Sequence, residues 1–182
     1  MRAVARSDGF ARHSLGYLEA MQSDTTLLPA QGNDAIDILR NDHRVIKGLV
    51  RELVESDAAS RKQVLEQLKG VLTIHNATEE NLVYPAIGNA SRGKDEAGRL
   101  YHQTAEADRI VFELDSLLTQ RDGARFSATA KKFEEAVLAH IEEEENEAFP
   151  RLREESDPEQ SVRLTAAVRS FRKSLHSKGA ST

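Results

Sequence analysis

Residues 74–85 read IHNATEENLVYP, and a similar pattern returns 65 residues later, where residues 139–150 read AHIEEEENEAFP. Aligned without gaps, the two segments share a His, two Glu, an Asn, an aromatic residue and a Pro. So many matches of uncommon types in one register indicate an internal repeat. In each copy a Glu follows the His by four positions, and residues i and i+4 share one face of an α-helix. The sequence therefore predicts two helices that each present a His-Glu pair on one side.

The two segments lie within a longer run of helical periodicity. Apolar residues recur at three- and four-residue steps, and breakers such as Gly88 and Asp122-Gly123 interrupt them. Short connections between long helices favour antiparallel neighbours. The predicted fold class is therefore all-α, a four-helix up-and-down antiparallel bundle made of two helical hairpins. The expected helices cover about 34–56, 60–87, 94–119 and 125–154.

Both ends of the chain lie outside this pattern. Residues 1–33 are weakly patterned and are expected to form a flexible N-terminal arm. Residues 34–154 are expected to form the bundle. Residues 155–182 are expected to form an additional C-terminal helix and tail, since Pro158 suits the first turn of a helix.

Composition narrows the possible functions. Lys plus Arg number 25 against 30 Asp plus Glu, and the net charge of −5 argues against a nucleic-acid partner bound through a basic surface. Cysteine is absent, so any bound metal must take nitrogen and oxygen ligands. No apolar run approaches the roughly 20 residues that span a bilayer, and the N-terminus lacks the apolar core of a secretory signal. We expect no membrane partner and, by default, a cytoplasmic protein.

Histidines and glutamates of all four helices are expected to meet inside the bundle. His43 and His102 match at an offset of 59, and Glu106 follows His102 by four positions. Burying carboxylates without compensation is costly, and bound cations are the simplest compensation. The candidate metal ligands are His43, His75, Glu79, His102, Glu106, His140 and Glu144. Tyr84 and Phe149, by contrast, are interpreted as core-sealing residues.

Ligand counting predicts two metal ions. If Glu79 and Glu144 bridge two octahedral ions, the candidate ligands and an oxo or hydroxo bridge leave about one coordination position open. A dioxygen, nitric oxide or peroxide molecule would bind there. Glu145 is the alternative to Glu144 as the bridging carboxylate.

The pattern His43, His75-x-x-x-Glu79, His102, His140-x-x-x-Glu144 resembles the hemerythrin-like (HHE cation-binding) family over residues 34–154. The resemblance implies a non-haem site with two iron ions that binds dioxygen or a related small ligand. Oxygen carriers of that family have a second His where Glu106 stands. An anionic ligand there would favour ferric iron, and hence peroxide chemistry over reversible oxygen carriage.

Three functions remain open at this point. The first is a peroxidase- or catalase-like enzyme, whose electron donor the sequence does not identify. The second is a non-enzymatic module that senses or stores iron, oxygen or nitric oxide and needs a protein partner for its output. The third is a structural site for zinc or manganese, since nitrogen and oxygen ligands suit these metals too.

Overall fold

A computed structural model describes residues 30–90 and 93–179, and this part of the chain is all-helical, without β-strands. The predicted all-α class is thereby confirmed. Most of the predicted N-terminal arm, residues 1–29, lies outside the described residues. The helices are α1 (Ala35–Glu55), α2 (Arg61–Thr78), α3 (Tyr84–Gly88), α4 (Gly93–Gln120), α5 (Gly123–Glu143), α6 (Phe149–Glu155) and α7 (Pro158–Gly179).

Two helices begin at aspartate caps. The Asp34 side chain accepts a hydrogen bond from the backbone N–H of Asp37 at 2.8 Å, and α1 starts there. Asp122 accepts one from the N–H of Arg125 at 3.0 Å at the start of α5. Each cap satisfies an N–H that has no partner inside its helix. The helices therefore begin close to the predicted positions.

Two π-helical segments of five residues each interrupt the long helices of the repeat. Glu79–Val83 joins α2 to α3, and Glu144–Ala148 joins α5 to α6. The N–H of Tyr84 bonds to the carbonyl of Glu79, five residues back, and Phe149 bonds to Glu144 in the same way. Each π segment thus begins at the Glu of the motif, and the aromatic residue lies one wide turn beyond that Glu.

The apolar core is divided into two main clusters, and polar residues lie between them. Along α1, Leu39 belongs to one cluster and Ile46 to the other. His43 stands between them and is fully buried. Along α4, Leu100 and Ala107 belong to the same two clusters, on either side of a buried Thr104. The two clusters therefore enclose a polar layer from both sides.

Helix α7 packs on the outside of α1 and α2. Its Val168 is buried against Ala35 and Ile38, and Leu164 packs beside them. None of the described helices combines the length with the apolar composition that a membrane crossing requires.

Candidate metal centre

Four buried side chains bring metal-ligating atoms together in the polar layer: His43, His75, Glu79 and Glu144. One ligand atom from each lies within 4.8 Å of the others. His43 Nε2 is 3.2 Å from Glu144 Oε2 and 3.8 Å from Glu79 Oε1, and His75 Nε2 is 3.2 Å from Glu79 Oε2. Ligands about 2.0–2.2 Å from a shared ion lie roughly 3–4 Å from each other. The spacing therefore suits a single cation held by all four residues.

Three atoms of this cluster lack hydrogen bonds to any described residue. They are His43 Nε2, Glu79 Oε1 and Glu144 Oε2, and all are buried. His43 Nε2 lies within ion-pair distance of both carboxylate oxygens but makes a hydrogen bond to neither. An unpaired buried polar atom costs about 1–3 kcal/mol, so three together are unusual. A cation would satisfy them, and the nitrogen and oxygen donors suit iron, manganese or zinc.

Carboxylates outside the cluster orient two of its imidazoles. His43 Nδ1 lies 2.9 Å from Glu145 Oε1, and His75 Nδ1 lies 3.2 Å from Asp42 Oδ2. Because an ionised carboxylate only accepts hydrogen bonds, each Nδ1–H donates. Nε2 of the neutral ring then carries the lone pair that faces the centre, as is usual for metal-binding histidines.

His140 lies beside the four residues and is oriented in the same way. Its Nε2 is 3.4 Å from Glu144 Oε1, and its Nδ1 is 2.8 Å from Gln103 Oε1. The Gln103 amide nitrogen donates to Glu143 at 2.7 Å, so its oxygen is the atom that accepts from His140. Burial lowers the pKa of His140 to about 4. The ring is therefore neutral at pH 7, and its Nε2 lone pair also faces inward.

The proton on His43 balances part of the buried charge when no cation is bound. Burial alone would lower the pKa of His43, but the neighbouring carboxylates of Glu144, Glu145 and Glu79 outweigh it and raise that pKa well above its usual range. The His43 hydrogen bond is the largest of the effects that lower the pKa of Glu145, to about 2. Cation binding at His43 must therefore release a proton.

Tyr84 belongs to this centre and does not merely seal the core. Its hydroxyl oxygen lies 3.0 Å from Glu79 Oε2, 2.9 Å from Glu144 Oε1 and 3.1 Å from Thr104 Oγ1. Burial and the charges of Glu79 and Glu144 raise the pKa of Tyr84 well above its usual range, so the hydroxyl keeps its proton. Phe149, at the matching place in the repeat, stacks on the His43 ring with 5.6 Å between centroids.

The expectation that His102 and Glu106 face the interior is wrong. Both are exposed on α4, and Glu106 pairs with Arg109 at 2.7 Å. Each helical residue turns the chain by about 100°, so His102 stands roughly 200° away from Thr104, which faces inward. The argument that an anionic Glu106 ligand would favour ferric iron therefore loses its basis.

The buried positions of α1 and α4 match at an offset of 61, and the predicted offset of 59 is wrong. Leu39 corresponds to Leu100 and Ile46 to Ala107, and all four are buried. Two further pairs follow from the same offset. Thr104 takes the place of His43, and Gln103 takes that of Asp42. The second half of the repeat therefore has no histidine on its first helix at this level.

The family model for the hemerythrin HHE cation-binding domain matches residues 34–152. The chain belongs to this family. A protein of Nostoc sp. described as a DNA nickase is 25% identical over 126 residues, 69% of this chain but 35% of that protein. Uncharacterized proteins of Mycobacterium bovis and Mycobacterium tuberculosis are 30% identical over 120 residues, 64% of this chain and 71% of theirs. The chain thus spans about a third of the length of the Nostoc relative.

In this HHE-domain protein, α7 lies beyond the matched residues and still reaches the centre. Its Arg172 is only 1% exposed and pairs with Asp42 through both terminal nitrogens. Burial would raise the pKa of Asp42, but hydrogen bonds to His75 and Arg172 outweigh it and lower that pKa. The sequence offers one sign that Arg172 is buried: it lies among the apolar positions of α7, four residues after Val168.

Proposed function

We propose that this chain is a non-haem iron protein that binds or reacts with dioxygen, nitric oxide or peroxide. In this proposal the long helices form an up-and-down four-helix bundle, and the iron site lies in its core. The observation that carries the proposal is the convergence of buried imidazole and carboxylate atoms that lack hydrogen-bond partners among the described residues. Membership of a cation-binding family supports it.

Each residue of the centre has a distinct role in this proposal. His43, His75, Glu79 and Glu144 would hold the iron, which when bound supplies redox chemistry and a place for a small ligand. The apolar clusters on both sides exclude bulk water. Tyr84 holds a proton at its hydroxyl oxygen, beside both carboxylates.

A small ligand would approach from the His140 side. The His140 side chain is 11% exposed, whereas those of His43 and His75 are 0% and 3% exposed. This slight exposure suits a diatomic molecule or peroxide better than a larger substrate.

Reconstitution of the purified chain with ferrous iron under anaerobic conditions tests the proposal. We expect bound iron after desalting, and changes in the visible spectrum on exposure to oxygen, nitric oxide or peroxide. His75→Ala should lose iron, whereas His102→Ala, which removes an exposed histidine, should keep it. A chain that binds no iron, or whose iron spectrum responds to none of the three ligands, would contradict the proposal.

Peroxide assays separate the enzyme from the non-enzymatic alternative. Catalytic oxygen release, or turnover with an added electron donor, would support a catalase- or peroxidase-like enzyme. A single stoichiometric reaction would support sensing or storage. DNA nicking does not form part of the proposal, because the match covers 35% of the Nostoc protein and the net charge here is −5.

A further inference from the structure

We infer that the centre holds one metal ion tightly, and that Tyr84 and Thr104 occupy the place where a symmetric repeat would hold a second. The tight position is formed by His43, His75, Glu79 and Glu144. The inference rests on the proposed function, since it concerns how many ions the same site binds. It replaces the two-ion site that ligand counting from the sequence predicts.

The symmetry of the repeat shows where the second position would be. Asp42 accepts from His75 Nδ1, and at the matching place Gln103 accepts from His140 Nδ1. The two imidazoles are therefore held alike, each by the preceding long helix. The residue after Asp42 is His43, and the residue after Gln103 is Thr104. The second half thus keeps one imidazole and replaces the other by a hydroxyl.

The first position has a full set of free donors. The unpaired atoms His43 Nε2, Glu79 Oε1 and Glu144 Oε2 all belong to it. The His43–Glu144 and His43–Glu79 distances of 3.2 Å and 3.8 Å fit donors that share an ion. Phe149 closes this side by stacking on the His43 ring and offers no polar atom. A bound cation would satisfy all three of these atoms at once.

The second position already contains a hydroxyl group. Tyr84 Oη lies within 3.3 Å of His140 Nε2 and closer still to Glu79 Oε2 and Glu144 Oε1, the second oxygens of both carboxylates. These are the donors that a second ion would need, and one of them, Glu79 Oε2, also lies 3.2 Å from His75 Nε2. The phenol has one proton and can donate it to only one of these three acceptors at a time, but its oxygen fills the space between them. Thr104 Oγ1 is a neutral and weak ligand in place of an imidazole. A second ion would have to displace the tyrosine and would bind weakly.

Anaerobic titration of the metal-free full chain with ferrous iron tests the inference. After desalting, the wild type should retain one iron per chain, and the titration should show no second iron of similar affinity. Retention of two irons of similar affinity would overturn the inference and leave the proposed function standing. Retention of no iron would overturn both.

A double variant tests the assignment of Tyr84 and Thr104. Tyr84→Phe with Thr104→His places the side chains of Phe149 and His43 at their matching positions in the other half of the repeat, and this variant should retain two irons. The control Thr119→His adds a histidine at an exposed threonine of the same helix, and it should still retain one iron. A folded double variant, judged by circular dichroism, that keeps a single iron would contradict the assignment. If it does not fold, the wild-type stoichiometry still decides the inference.

Discussion

At the scale of single residues, the acceptors behind the imidazoles matter as much as the metal ligands. The partly buried Glu145 carboxylate forms an ion pair with Lys47 and accepts a hydrogen bond from His43 Nδ1 at 2.9 Å. It stands one residue after Glu144 and faces the back of the His43 ring. The sequence left Glu144 and Glu145 as alternatives for one role. The structure gives them different places, with Glu144 at the centre and Glu145 behind His43.

Glu145→Gln should weaken metal binding about 10- to 100-fold, the usual effect of losing a partner that orients a metal-binding histidine. The neutral amide leaves His43 without an anionic acceptor, so the ring is oriented less firmly and its Nε2 is a weaker base. Competition titration with a chelator of known affinity measures the change. Glu147→Gln is the matched control, because Glu147 is an exposed residue of the same π segment. Equal metal affinities for the two variants would contradict the role of Glu145.

The site could be predicted from the sequence wherever local periodicity decides it. His75 with Glu79 and His140 with Glu144 follow from i, i+4 spacing in an α-helix. His102 was misplaced because identity with His43 was given more weight than the apolar stripe of its own helix. Leu100, Ala107 and Val111 put Thr104 on the inner face. Residue identity can therefore suggest a repeat, but burial periodicity sets its register.

At the scale of elements, the π segments explain why the sequence did not reveal the role of Tyr84. On a regular α-helix a residue five positions after Glu79 is rotated by roughly 140° from it. The π segment instead closes a turn between residues five apart, so Tyr84 lies above Glu79 and its hydroxyl reaches the carboxylate. Pro85 indicates that the regular helix is interrupted near this position, but a proline does not show that the interruption is a π turn. The positions of the helices could be predicted from the sequence, but the π turns within them could not.

Helix α7 is tied to the centre by a buried ion pair. Arg172 also approaches Thr78 Oγ1 at 3.3 Å, so it links α7 to both α1 and α2. A buried charge without its partner is strongly unfavourable. The sequence suggested only that a further helix exists. Its contact with Asp42 depends on tertiary packing that no local pattern encodes.

Arg172→Met should lower the free energy of unfolding by about 3–5 kcal/mol, because it leaves the Asp42 carboxylate buried without a cation. Urea denaturation of the metal-free chain measures this loss separately from metal binding. Arg169→Met is the control, since Arg169 is exposed and, among the described residues, donates to the Gly32 carbonyl. If the two variants unfold at the same urea concentration, the Arg172–Asp42 pair contributes little and α7 is held by its apolar contacts.

At the scale of the whole molecule, the centre couples metal binding to stability. The polar layer lies between the two apolar clusters that hold α1, α2, α4 and α5 together. Its unpaired carboxylate oxygens weaken the metal-free fold. The unfolded chain has no preformed site, so the binding free energy adds to the free energy of unfolding.

Metal loading should therefore raise the melting temperature of the whole chain. With free metal about 100-fold above Kd, one site adds about 2.7 kcal/mol to the free energy of unfolding. Thermal unfolding followed by circular dichroism, with and without anaerobic ferrous iron, measures the shift. His75→Ala should show little shift, because it removes a ligand, whereas His102→Ala should shift like the wild type. Equal shifts in His75→Ala and the wild type would mean that the stabilising metal binds somewhere other than the buried centre.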